Sequence, residues 1–362
     1  MIQFGAIPLT LRFKTRAVKA FVALHMNKTS RLLSVLALAL CCSCGDKKKQ
    51  VAAQPSSGAF SHPSVAAVSR QLDADPNNAA LFFKRGKALS DLGEDSLALN
   101  DYKKAVGLDS GKAEYFSAIG QLMFEHKDID GSVQWFRKAI NINPKDPIAH
   151  LQFAKMLVFI NDNAKAFQEI NVVLRQDPYN PEAYFLKGLT YKNLQDTAKA
   201  LSSFQTSVQV DPRFYESIVQ LGMIYSARKD SIALKYFDNA FAVDSTDVLP
   251  LYAKGMFFQE RNEPERAKEQ YRLCILHDQQ YGDAYFNTGW ILMHQDSLEK
   301  AVRQFDFVTK IEPENPEAYY NRGLCQELLK KTELAIGDYR QALEFDPTYQ
   351  EPKEALKRLG SK

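Results

Sequence analysis

One small residue returns along this chain like a ruler mark. Gly86, Gly120, Ala154, Gly188, Gly222, Gly255, Gly289 and Gly323 follow one another at intervals of 34 residues, with a single interval of 33. A unit that short cannot cover its own apolar surface, so each copy must be buried by its neighbours, and the chain is confined to a stack of similar pieces. Twelve residues after each mark stands a second small residue: Ala98, Ser132, Ala166, Ala200, Ala233, Ala267, Ala301, Ala335, one place early in the fifth copy. Four further on come Tyr102, Phe136, Ile170, Phe204, Phe237, Tyr271, Phe305 and Tyr339. Four before the mark are Phe82, Phe116, His150, Tyr184, Ile218, Leu251, Tyr285 and Tyr319. Spacings of four, twelve and sixteen place these residues on single faces of two helices per unit.

The punctuation agrees. Asp177-Pro178, Asp211-Pro212, Glu312-Pro313, Asp346-Pro347 and Asn143-Pro144 end second helices, because proline disfavours helix in the residue before it. Pro147, Pro181 and Pro316 open first helices, and Pro264 opens a second one, where a missing N–H costs nothing. Helical pairs are expected near 79–112, 113–146, 147–180, 181–214, 215–247, 248–281, 282–315 and 316–349. The fifth is one residue short near Arg228-Lys229-Asp230, which predicts a shortened turn there. Ser64 to Asp75 reads as half a unit covering the first pair, and Glu351 to Leu359, within 351–360, as a polar-faced capping helix.

This period and its residue pattern, over about residues 79–347, resemble the tetratricopeptide repeat. The resemblance implies an all-α, right-handed α-solenoid of about eight helix-turn-helix units, with an N-terminal half-unit and a C-terminal capping helix, running as one domain over 64–362. It also implies a concave face lined by first helices, where protein or peptide ligands lie, with contact positions three before and one after the mark. Those positions hold Phe185 and Leu189, Val219 and Met223, Tyr252 and Met256, Phe286 and Trp290, and Tyr320 and Leu324 in the last five units. Earlier units carry polar groups: Lys84, Lys87, Glu114, Gln121, Glu125, Lys155. The apolar stripe reads either as a binding groove or as packing between first helices of adjacent repeats. The Lys/Asn pair with which some relatives clamp a terminal carboxylate is not found at these positions, which argues against that type of ligand.

The N-terminus carries an address. Residues 1–43 hold six Lys/Arg and no acid, so the formal charge of +3 belongs to that segment; the remainder has 40 basic and 43 acidic side chains and no basic excess for a nucleic-acid surface. From Met26, Lys28 and Arg31 precede an apolar region of nine residues, Leu32 to Leu40, interrupted only by Ser34, too short to span a bilayer and suited to a signal peptide over 26–43. Residues 1–25 read as an upstream extension ahead of the true start at Met26. The segment resembles a bacterial lipoprotein signal. That resemblance makes Cys44, after small Ser43, the lipidated residue, and implies a lipid anchor in a bacterial membrane, most plainly the outer one. Residues 44–63 then form a flexible tether.

Chemistry-bearing patterns are missing. No HExxH, GxSxG or CxxC pair follows the signal. Gly107 to Ala113 mimics a phosphate loop but is one residue short and lacks the Ser/Thr that holds magnesium, so it reads as a repeat junction. His150 takes a core position, and Cys274 and Cys325 are two repeats apart, so two free, buried thiols are expected. No cofactor, metal, small-molecule substrate or catalytic residue is expected. The expected function is a non-enzymatic, membrane-anchored scaffold that binds protein partners in a cell-envelope assembly; the alternative is a holdase-like binder of exported unfolded chains.

Overall fold

The structure is a computed structural model that describes residues 58–360. The upstream extension, the signal peptide, Cys44 and most of the tether lie outside the described residues. Among those residues there is no strand. A short 3₁₀ turn, Ala59–Ser61, leads into eighteen α-helices. They fall into two compact units, one ending at Asp196 and one starting at Thr197.

The first unit holds α1 (Pro63–Ala74), α2 (Ala79–Asp91), α3 (Asp95–Leu108), α4 (Ala113–Glu125), α5 (Ile129–Ile142), α6 (Pro147–Phe159), α7 (Asn163–Gln176) and α8 (Pro181–Asn193). The second holds α9 (Thr197–Val210), α10 (Tyr215–Ala227), α11 (Ile232–Val243), α12 (Leu249–Glu260), α13 (Pro264–His277), α14 (Gly282–His294), α15 (Leu298–Ile311), α16 (Pro316–Leu328), α17 (Thr332–Phe345) and α18 (Gln350–Arg358). In each unit every helix packs on the next. First helices also touch the first helix of the following repeat, as α4 does α6, α10 does α12 and α14 does α16, whereas second helices make no comparable contact with one another. The row of first helices is therefore the tighter side of each stack. All-α, hairpin-by-hairpin stacking is what the 34-residue period demands.

Each hairpin turns by the same device. The residue seven after the mark adopts the left-handed conformation, and the next N–H reaches back to a carbonyl five residues earlier, as Glu94 does to Leu89 at 2.9 Å and Lys331 to Gln326 at 2.8 Å. Glycine serves in the first repeat, Gly93; in the others Lys127, Asn161, Gln195, Lys229, Asn262, Asp296 and Lys330 hold φ between 56° and 63°. The missing residue of the fifth repeat does not shorten this turn. The 229–230 cap is intact, with Asp230 N–H on Tyr225 O at 3.0 Å, and residues 228–231 form a turn longer than its counterpart 261–263. The loss is taken from the second helix, 12 residues in α11 against 14 in α13. Ala233 and Leu234 start α11 with tight i→i−3 bonds to Asp230 and Ser231, both 3.1 Å, where Ala267 makes an α-helical bond to Glu263. The cap satisfies several backbone groups at once, so the helix end gives way first.

The two ends are closed as expected. Val65, Val68 and Leu72 of α1 are buried, and Ala59, inside the segment read as tether, packs with Val65, Leu89 and Tyr102. At the other end Ala355 and Leu356 of α18 cover Ala335 and Tyr339, and Arg358 donates two hydrogen bonds to Glu327, at 3.0 and 2.8 Å.

Candidate protein-binding face

In hairpins that lie within one unit, up to three positions come together, and they decide which side chains remain for a ligand. The aromatic of the second helix lies flat on the mark glycine: a Cβ built on Gly255 would come within 2.3 Å of the Tyr271 ring, and one on Gly222 within 2.6 Å of Phe237. The third repeat reaches the same fit by trading both partners, Ala154 for glycine and Ile170 for the ring. On the other side of that ring sits the residue three before the mark. Phe83–Tyr102, Tyr252–Tyr271, Phe286–Phe305 and Tyr320–Tyr339 have centroids 5.5 to 5.8 Å apart.

Where the ring is tyrosine, its buried hydroxyl has a partner from the end of the first helix, twelve residues earlier. Tyr271 donates to Gln259 at 2.8 Å and Tyr339 to Glu327 at 2.6 Å, and Tyr102 is bonded to Ser90. Burial pushes the Tyr102 phenol up to about 12. Asn287 extends the network, donating to the Tyr252 hydroxyl at 3.0 Å and so joining α14 to α12. Sequence reading missed these pairs, although their fixed spacing was visible.

The ten residues of the apolar stripe divide accordingly. Phe185, Val219, Tyr252, Met256, Phe286 and Leu324 are buried, and Val219, at 0% exposure, is interior and drops out of any contact set. Phe185, Val219, Tyr252 and Phe286 stand three before the mark, while Met256 and Leu324, one after it, face the next first helix and the cluster around Phe305. Leu189, Met223, Trp290 and Tyr320 are half-buried. Trp290 and Tyr320 pack one side on the cluster around Phe286, Phe305 and Leu324, and Trp290 stacks on His294 with centroids 3.7 Å apart. They are the members with surface to offer.

The remaining candidates are structural. His150 is 3% exposed, with Nδ1 2.5 Å from Glu169 and Nε2 3.1 Å from the Pro144 carbonyl. Both ring nitrogens face acceptors, which suits an imidazolium, and the bond to Glu169 raises its pKa above the usual histidine value. Cys274 and Cys325 are free and buried, and burial pushes the Cys325 thiol up to about 12. The phosphate-loop mimic is the end of α3 and its junction, where Asp109 accepts from the Gly111 N–H at 2.9 Å. The same Asx turn recurs at Asp177, Asp211, Asp244, Asp278 and Asp346, so the junction acids stop the helix and also shape the turn. Two ion pairs went unread: Arg85 donates twice to Asp101, at 2.6 and 2.9 Å, and Arg322 twice to Asp338, at 2.9 and 2.7 Å, with a third bond to Asp306 at 3.0 Å. Both arginines precede a mark glycine by one and both aspartates follow them by sixteen. Among the described residues no group of three or more His, Cys, Asp or Glu is placed to hold a metal ion, and no helix is long and apolar enough to cross a membrane.

Comparison with known proteins agrees with this construction. Sequence models of the tetratricopeptide repeat match residues 83–147, 181–214 and 316–349. The chain is 25% identical over 285 residues to a DnaJ protein P58IPK homolog of Arabidopsis thaliana, covering 75% of this chain and 55% of that protein. It is 23% identical over 212 residues to anaphase-promoting complex subunit 3 of Schizosaccharomyces pombe, covering 58% and 32%. It thus spans from about a third to just over half the length of these relatives. Among solved structures, Pseudomonas aeruginosa PilF superposes with a TM-score of 0.50 at 13% identity, over 59% of this chain and 97% of that one, a likeness of fold. With the period, the hairpin stack and the matched segments in agreement, this chain is a tetratricopeptide repeat protein.

Proposed function

We propose that the protein is a non-enzymatic scaffold that binds protein partners through the first helices of its C-terminal repeats. The observation that carries this reading is the partial exposure of Trp290, Tyr320 and Met223 on the first helices of the second unit, where the other stripe residues, Val219, Tyr252, Met256, Phe286 and Leu324, are buried. Aromatic and methionine side chains that keep surface after folding are favoured contact groups. The lipoprotein-like segment ending at Cys44 supports a finer reading: a lipid-anchored adaptor in a bacterial cell-envelope assembly of the outer-membrane, secretion or pilus type, held off the bilayer by the residues before Gly58.

Two experiments test it. Trp290→Gln is expected to abolish recovery of crosslinked partners from envelope membranes while the melting curve moves little; unchanged recovery refutes the proposed face. Phe286 is unsuitable as a probe, because it is buried edge-on against Phe305 and its loss would unfold the hairpin. Cys44→Ser is expected to release the protein from membranes and to end incorporation of labelled fatty acid. A variant that stays membrane-bound refutes the anchor. The holdase reading predicts weak binding to many unfolded chains in place of a stable stoichiometric complex.

A further inference from the structure

The second unit carries an unusual distribution of charge along its first helices. The junctions and opening turns of these helices, residues 211–220, 244–253, 278–287, 312–321 and 346–355, contain twelve acidic side chains and two basic ones, Arg213 and Lys353. At the opposite ends, residues 226–235, 260–269, 294–303 and 328–337, eight acids meet ten bases. Asx turns account for Asp211, Asp244, Asp278 and Asp346, and the helix dipole favours acids in a first turn. Neither device makes the bias: the corresponding segments of the first unit, 75–84, 109–118, 143–152 and 177–186, use both and hold six acids and three bases.

The acids flank tyrosines that occur as a repeated pair. Tyr252 and Tyr281 have ring centroids 5.3 Å apart at 55°, and Tyr320 and Tyr349, two repeats on, have the same 5.3 Å and 55°. Tyr281, Tyr320 and Tyr349 are half-buried. The carboxylates of Asp247 and Asp283 act on the Tyr281 phenol, and those of Glu351, Glu327 and Glu354 on Tyr320, where Arg358, hydrogen-bonded twice to Glu327, acts in the opposite sense. Glu351 and Glu354 are exposed. An aromatic face beside carboxylates attracts a Lys or Arg side chain through both the ring quadrupole and the charge.

Resting on the protein-binding reading above, we infer that this face takes an extended, basic segment of a partner protein, with one cationic side chain at each tyrosine pair and an apolar residue between them over Trp290. Packed helices lie about 8–10 Å apart, so two repeats separate the pairs by roughly 16–20 Å. An extended chain covers that in about five or six residues. The same charge disfavours acidic segments and terminal carboxylates, in line with the missing clamp residues.

Binding of three fluorescein-labelled peptides to the purified protein, followed by anisotropy, tests this. The peptides share a neutral sequence of about twelve residues with a central Leu-Tyr and differ at two positions six apart, which carry Lys, Gln or Glu. The Lys peptide is expected to bind at least about tenfold tighter than the Gln peptide, with the advantage shrinking as salt rises, and the Glu peptide weakest. The triple variant Asp283→Asn, Glu351→Gln, Glu354→Gln should remove the Lys advantage with an unchanged far-ultraviolet melting curve, and Tyr320→Leu should weaken the Lys peptide more than the Gln peptide. Equal binding of all three peptides overturns the charge inference and leaves the binding face standing. Loss of binding to all three, or a preference surviving in the triple variant, overturns the assignment to these residues. Self-association of the protein that the Lys peptide does not displace would assign the face to a second copy and refute the inference.

Discussion

Replacing glycine by alanine should have opposite effects at Gly255 and Gly337, although both lie inside helices. At Gly337 nothing lies within 4 Å of the added carbon, and the site is exposed on α17. Only the lower helical propensity of glycine is removed, which stabilises by about 0.5–1 kcal/mol. At Gly255 the carbon meets Cε1 and Cδ1 of Tyr271 at 2.3 and 2.6 Å. Relief needs a ring displacement on the order of 1 Å, yet the ring is fully buried and its hydroxyl is bonded to Gln259 at 2.8 Å. Overpacking of this kind costs about 1–3 kcal/mol. Urea titrations followed by circular dichroism would read the pair as midpoints moving in opposite directions. The third repeat supplies the control, for its Ala154 and Ile170 show that alanine fits when the ring is removed. Gly255→Ala combined with Tyr271→Ile should recover part of the loss, a coupling a double-mutant cycle measures. If Gly255→Ala is neutral, or the two changes simply add, the close approach of ring and backbone is not what selects glycine at these marks.

Three further outcomes are expected. Because hydrogen bonding to Glu169 raises the folded-state pKa of His150, the pair's contribution is complete below the unfolded value of about 6.5 and is lost as pH rises through the folded value, with Asp146 the other acid acting on it; the denaturation midpoint of His150→Phe should lack this decline. Lys330→Gly, at φ 61°, should stabilise by about 0.5–1 kcal/mol by relieving a left-handed lysine, with the gain appearing in urea unfolding. Cys274 and Cys325 should react with a thiol reagent only after denaturation, since both are buried and their thiols are pushed up; rapid labelling of the native protein at neutral pH would contradict the buried positions.

Much of the fold was readable because a stack of hairpins is a local architecture. Inside either unit the mark glycines and the aromatics fifteen or sixteen residues on meet within one hairpin, so their spacing states the contact directly, and the prolines at 147, 181, 264 and 316 stand at helix starts as read. Less visible were features in which residue identity varies while backbone geometry does not. Lysine, asparagine, glutamine and aspartate all occupy the left-handed cap, because the hydrogen bond from the following N–H holds them there, and composition gives no warning. The fifth repeat shows the same limit: that a residue is missing was readable, but whether turn or helix would yield depended on which hydrogen bonds were costlier to lose.

The period, the helical class and the spacing that sets a mark glycine against its ring were legible in the residues alone, because they follow from side-chain size and spacing along one chain. The tertiary structure alone decided which apolar residues are left over. Phe286 and Trp290 stand on one helix at positions that periodicity treats alike, yet one is buried edge-on against Phe305 and the other stays partly exposed. Residual surface depends on what the neighbouring repeat covers, a property of the packed stack that no single repeat's sequence contains.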